Sequence, residues 1–183
     1  YATKEANLQD DMKREHPSTV DEAFEAAVSG AYLSKQMAFL RKNGRITQVP
    51  HDPALPVNTG WDFGINDQMC IWLHQYGGMQ HRLIGYIQGS DEDVLYYWRE
   101  LQKLPYLWGE HCLPHDAVTR RIGSARTADE APRTIEQILA GAGMKNIRVV
   151  PRVEDKYTAI TETRLWLPKV WIDEKACSDG ILC

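Results

Sequence analysis

Two carboxylates stand where strands should be. Asp62 closes the apolar run of "VNTGWDFG" (residues 57–64), and Asp116 closes "EHCLPHDA" (residues 110–117). A third acid, Asp67, follows in "GIND". Carboxylates brought together in a partly desolvated site repel, and one protonates unless a cation intervenes. Hard oxygen ligands suit Mg²⁺ or Mn²⁺. Two such ions about 3.5–4 Å apart can clamp the attacking and leaving oxygens of a phosphodiester displacement. Each acid also has a plainer reading. Asp62, two residues before Gly64, can simply end a strand in a turn, and Asn66-Asp67 suits a hairpin by turn geometry alone.

The residues around Asp116 carry chemistry of their own. "TRRIGSARTADE" places Arg120, Arg121 and Arg126 just after it. Guanidinium groups bind phosphate bidentately, although a solvated loop accounts for the same composition. His115 beside Asp116 can orient a ligand or approach a phosphate, or it can sit on a rim. "HCLPH", with His111, Cys112 and His115, invites a zinc reading. Strand alternation sends His111 and Cys112 to opposite faces, and no second pair of ligands lies near in sequence. In "LYYWRELQKLPYLW" the aromatic residues read as helix packing, with base stacking the lesser alternative.

The elements that must hold these groups follow from periodicity and punctuation. Three strands are expected at Val57–Phe63, Met69–Tyr76 and Arg82–Gln88, joined by the turn-like "GIND" and "GGMQ" into an antiparallel meander. "GSDEDVLYYWRELQKL" follows as an amphipathic helix capped by Ser90 or Asp91, with Val94, Leu95, Trp98 and Leu101 on one side. "EHCLPHDA" is a short strand ending on Asp116, "TADEAPRTIEQILAGAG" a helix closed by glycine, and "NIRVVPR" a fifth strand. "DKYTAITETRLWLPKVWID" begins as a helix and breaks near Pro168. Ahead of the strands, residues 18–44 show helical spacing at Phe24, Ala27, Val28, Ala31 and Tyr32, with a possible interruption at Gly30 and a stop at Gly44. The proline-bearing "ITQVPHDPALPV" reads as a rigid connector.

The order β-β-β-α-β-α-β-α predicts an α/β fold of the ribonuclease H-like kind, a mixed sheet of three antiparallel strands then alternating helices and strands, flanked by helices. There, an acid on the first, central strand neighbours one at the end of the fourth. Asp62 and Asp116 are expected to converge in that way.

Bulk properties bound the alternatives. A chain of 183 residues buries a sizeable core as one domain, and 43% hydrophobic with 25% charged residues is ordinary for a globular chain. A net charge of −4 argues against a strongly basic nucleic-acid module, while leaving room for a local basic patch. Cys70, Cys112, Cys177 and Cys183 show no CxxC spacing, so reduced thiols in a cytosolic setting are expected. No run of 18 or more apolar residues occurs, so no membrane span is expected.

"HPSTVDEAFEAAVSGAY", "VPHDPALPVNTGWDFGINDQMCIW", "LPHDA" and "WIDEKACSDGI" together resemble the C-terminal nuclease domain of the large terminase subunit of tailed bacteriophages, from about residue 15 onward. The resemblance implies a metal-dependent endonuclease that cuts concatemeric double-stranded viral DNA with two Mg²⁺ or Mn²⁺ ions. By position, Asp62 in "GWDFG" matches the family's first metal-binding aspartate, Asp116 in "LPHDA" the second, and Asp67 an additional acid of the metal shell in some members. It further implies a packaging ATPase domain on the N-terminal side, portal protein and small terminase subunit as partners, and the host cytoplasm as location. No GxxxxGK[ST] motif occurs here, consistent with an ATPase outside this piece. Residues 1–50 are then a helical and linking segment, and residues 51–183 the nuclease domain. The family's third aspartate lies in an "ADA"-type motif that has no counterpart before Cys183. Weak or absent cleavage by this chain alone is the expectation. Glu162, Asp173, Glu174 and Asp179 are the acids available as substitutes. Two other readings stand beside this one: a non-catalytic module that binds the portal or a motor subunit, and another ribonuclease H-like nuclease such as a junction resolvase.

Overall fold

The computed structural model describes residues 32–64, 68–119 and 132–182. Asp67, Arg120, Arg121 and Arg126 lie outside the described residues, as does Gly30. Helix α1 (Ser34–Lys42) leads into the two-residue strand β1 (Ile46–Thr47). Gly44 takes φ +63° just past the end of α1, a left-handed conformation that costs glycine little. Strands β2 (Val57–Asp62), β3 (Met69–Gly77) and β4 (Gln80–Gly89) are antiparallel neighbours in sequence order. The β3–β4 turn puts Gly78 and Met79 at φ +57° and +62°, as a two-residue hairpin with the strands' own twist requires.

Helix α2 (Val94–Gln102) is capped by Asp93, whose carboxylate accepts from the Tyr96 amide, and not by Ser90 or Asp91. Strand β5 (Trp108–Leu113) is followed by a 3₁₀ turn at His115–Val118. Helix α3 (Ile135–Gly141) starts at a capping box in which Thr134 and Gln137 satisfy each other's amides. Strand β6 (Ile147–Val149), helix α4 (Lys156–Trp166), a 3₁₀ turn at Leu167–Lys169, strand β7 (Val170–Asp173) and the short α5 (Ser178–Leu182) complete the described chain.

The sheet order is β1-β7-β4-β3-β2-β5-β6. Its central part, β4-β3-β2-β5-β6, is the ribonuclease H-like arrangement, with β5 parallel to β2 and β6 parallel to β5. The edge made by β7 and β1 departs from the sequence expectation. "VWID" reads as the tail of a broken helix and "IT" as connector, yet Ile46 and Thr47 pair in parallel with Ile172 and Asp173. A two-residue strand carries no period for a sequence to show.

Each face of the sheet has its own core. Val57, Trp61, Ile71, Leu73 and Leu113 pack with Tyr97, Trp98 and Leu101 of α2 and Ile135 and Leu139 of α3. Leu83, Val170 and Ile172 pack with Leu40 of α1, Leu167 and Cys177 in a second cluster. Cys70, Cys112 and Cys177 are free thiols. Among the described residues no helix is long and apolar enough to cross a membrane.

Candidate metal centre at the strand ends

In β2 burial alternates: Val57, Thr59 and Trp61 are buried, while Asn58 and Gly60 are partly covered and Asp62 is exposed. Period-two pleating therefore sends Asp62 to the face away from the α2–α3 core, at the last position of the strand. Cys70 of β3 stands directly opposite it. Because β2 and β5 are adjacent and parallel, their C-terminal ends lie side by side at one end of the sheet.

Strand β5 stops at Leu113, so Asp116 does not end a strand as the sequence led us to expect. Pro114 is extended, with φ −67° and ψ 163°, and Asp116 sits in the 3₁₀ turn beyond it. Proline donates no amide to the ladder, which is a physical reason for the strand to end there. Buried Ala117 anchors the turn. Asp116 Oδ1 is buried and has no hydrogen-bond partner among the described residues. A carboxylate oxygen taken from water without a donor is costly, and a cation is one remedy. Asp62 at the end of β2 and Asp116 in the turn just past β5 offer hard oxygens of the kind that Mg²⁺ or Mn²⁺ prefers. Among the described residues no group of three or more His, Cys, Asp or Glu could hold a metal, so these two acids do not complete a shell by themselves.

His115 is exposed in the 3₁₀ turn beside Asp116. His111 points inward and Cys112 outward, which leaves no zinc cluster at "HCLPH" among the described residues. Burial pushes the His111 imidazole down to about 4, so it is neutral near pH 7. Thr59 Oγ1 lies 2.7 Å from His111 Nδ1, and Trp61 Nε1 donates to the same Oγ1 at 2.7 Å. All three groups are satisfied when the threonine hydroxyl donates to Nδ1. Reasoning from sequence missed this buried chain, although Thr59 and Trp61 precede Asp62 at the spacing of inward positions.

Of the substitute acids, Asp173 is engaged elsewhere. Its Oδ2 accepts from the Val49 amide at 2.8 Å, and its Oδ1 from the Lys175 and Ala176 amides at 3.1 and 2.8 Å. Glu162, Glu174 and Asp179 are exposed. Trp98 is core, as expected, its Nε1 donating to the Ala142 carbonyl at 3.1 Å.

No family model matches the chain, and no curated protein sequence matches it. Solved structures do. The large terminase of a thermophilic bacteriophage, in complex with ATP-gamma-S, superposes with a TM-score of 0.58 at 10% identity, covering 80% of this chain and 36% of that one. The P22 large terminase nuclease domain gives a TM-score of 0.50 at 13% identity, covering 73% of this chain and 70% of that one. The chain thus spans about a third of the length of the thermophilic phage's large terminase. The nuclease of the G20c large terminase, solved with bound cobalt or magnesium, superposes at a TM-score of only 0.49, too remote for its metals to bear on this chain. At such identities the likeness is one of fold: this chain folds as large terminase nuclease domains do.

Proposed function

We propose that the chain is a metal-dependent DNA endonuclease domain of a viral packaging terminase, cutting concatemeric double-stranded DNA. One observation carries the reading: Asp62 ends β2, Asp116 lies in the turn just past the neighbouring parallel strand β5, and Asp116 Oδ1 is buried without a hydrogen-bond partner among the described residues. The fold shared with the large terminases of P22 and the thermophilic phage supports it.

In this proposal Asp62 and Asp116 hold Mg²⁺ or Mn²⁺, two ions in the full site, with Asp67 the nearest further acid in sequence. Bound there, the metal supplies Lewis acidity toward the scissile phosphate and lowers the pKa of its water. The chain's own part is to hold its oxygen ligands at the C-terminal ends of β2 and β5 and to meet the phosphate backbone. His115, Arg120, Arg121 and Arg126 are the proposed phosphate contacts, a role that fixes register on DNA without reading sequence. With a net charge of −4, intrinsic affinity for DNA is weak and falls further with salt. Grip then comes from partners: a packaging ATPase joined through residues 1–50, the portal protein and the small terminase subunit. Residues 51–183 are proposed to carry the nuclease function, working in the host cytoplasm.

A plasmid-nicking assay with Mn²⁺ tests this. The wild-type chain nicks weakly, and Asp62→Ala and Asp116→Ala do not. Nicking that persists in Asp62→Ala overturns the assignment. A second reading is a non-catalytic module that binds the portal or a motor subunit. Absence of both nicking and Mn²⁺ binding in the wild type selects that alternative.

A further inference from the structure

Strands β2 and β5 do not pair in one continuous register. Val57 faces Trp108, yet Thr59 faces His111 and Gly60 faces Cys112. Two steps along β2 therefore match three along β5, which places a β-bulge at Gly109–Glu110. Side chains alternate with a period of two, so one inserted residue exchanges the faces of everything that follows it. The bulge decides that His111 and Leu113 enter the core, and hence how the chain leaves β5 toward Asp116.

Named side chains hold it in place. Asn58 Oδ1 accepts the Glu110 amide at 2.8 Å, and Asn146 Nδ2 donates to the Gly109 carbonyl at 3.3 Å. A Cβ at Gly109 would stand 2.3 Å from Asn58 Oδ1 and 3.1 Å from Pro56 Cβ, so only glycine lets Asn58 reach across. One step further on, the Thr59–His111 bond closes the pair from inside the core, where both residues are 1% exposed. Trp61, the residue before Asp62, holds Thr59 in turn. A polar group on β2 is thus tied to β5 on both faces of the sheet, just upstream of the two acids.

We propose that Asn58, Thr59 and His111 are positioning residues of the candidate metal centre, setting the bulged register that delivers Asp62 and Asp116 to one place. The inference rests on the reading of those acids as metal ligands. None of the three residues touches the metal; they act through strand register, as the supporting shell of a site does.

The test is calorimetric titration of Mn²⁺ into the full 183-residue chain, with a thermal melt of every variant. Thr59→Val keeps the shape and removes the hydroxyl, Thr59→Ser restores it, and Asn58→Ala releases the bulge from the other face. Loss of a supporting partner typically weakens metal binding by about 10–100-fold. Thr59→Val and Asn58→Ala are expected to lose at least about tenfold on that scale while remaining folded, with Thr59→Ser near wild type. Asp62→Ala binds no Mn²⁺ at the site. Should Asp62→Ala bind like wild type, the metal-centre reading falls and takes this inference with it. If Asp62→Ala loses binding while folded Thr59→Val and Asn58→Ala keep it, positioning alone is overturned. Failure of Thr59→Ser to recover what Thr59→Val loses also overturns it, because returning the hydroxyl would then not return the site. Were Thr59→Val unfolded, Asn58→Ala decides.

Discussion

Asp116 has one carboxylate oxygen, Oδ1, buried with no donor among the described residues, and that is an unfavourable place for charge unless a cation arrives. Asparagine has the same shape without the charge. Asp116→Asn is therefore expected to match or exceed wild-type stability in chelator, by up to about 1 kcal/mol, and to lose the stabilisation that Mn²⁺ gives wild type. At metal concentrations a hundredfold above Kd that stabilisation is about 2.7 kcal/mol. Urea melts with chelator and with Mn²⁺ measure both, and an Asp116→Asn chain that Mn²⁺ still stabilises fully would remove Asp116 from the ligand set. A second residue-scale expectation concerns pH. Burial lowers His111 to about 4, and burial together with the neighbouring His81 charge lowers His74 to about 4. An unfolded histidine titrates near 6.5. Between those values the unfolded chain binds protons that the folded chain refuses, so this stability is fully present above pH 6.5 and is lost as pH falls toward 4. Melts at pH 7, 5.5 and 4.5 should decline accordingly, with a shallower slope in His111→Gln. Asp62 and Asp116 could be proposed from sequence because each follows an apolar run. The Thr59–His111 pair could not, since its partners are 52 positions apart and meet only once the register is known.

Helix starts tested the sequence signals at the next scale. Ser90, Asp91 and Asp93 are all chemically able to cap α2, and sequence alone cannot rank them. The structure uses Asp93 because the Tyr96 amide falls within its reach. At α3 the Thr134–Gln137 box was present in "TIEQ" but hidden by an expected start several residues earlier. Thr134→Ala should cost about 1 kcal/mol in urea unfolding. Asp173→Ala removes one acceptor from three backbone amides that tie β7 to Val49 and to the turn before α5. A loss of about 1 kcal/mol is expected, chiefly because the part-buried Val49 amide is left without an acceptor. Mn²⁺ binding should be untouched by Asp173→Ala. A change in metal affinity without a stability loss would return Asp173 to the list of ligands. Strand β7 escaped the sequence because "VWID" is only four residues long and follows directly on a helix and a proline. The meander was legible for the opposite reason: three long alternating runs separated by glycine-bearing turns.

Across the whole molecule, the segment proposed as a link to an ATPase also belongs to the body of the fold. Leu40 of α1 is 0% exposed and packs with Leu83, Val170 and Ile172 on the face opposite α2 and α3. Thr47 and Ile46 extend the sheet beyond β7, and the Ile172 amide donates to the Arg45 carbonyl at 2.8 Å. The Arg164 guanidinium donates to the Tyr32 carbonyl at 2.9 Å, fastening the start of the described chain to α4. Removing residues 1–50 would uncover the second core, strip β7 of its edge partner and deprive the Asp173 carboxylate of the Val49 amide. Residues 51–183 are thus not expected to fold well on their own, even though all the proposed site residues lie within them. Leu40→Ala tests the packing part alone and should cost about 2–5 kcal/mol, as large-to-small core changes do. The deletion through residue 50 should cost more than Leu40→Ala, because hydrogen bonds are lost with the apolar contacts. Urea unfolding of the three chains orders them. A chain beginning at residue 51 with wild-type stability would show that the linking segment is only a link. The expected order would instead make residues 32–50 an integral part of the fold whose sheet carries Asp62.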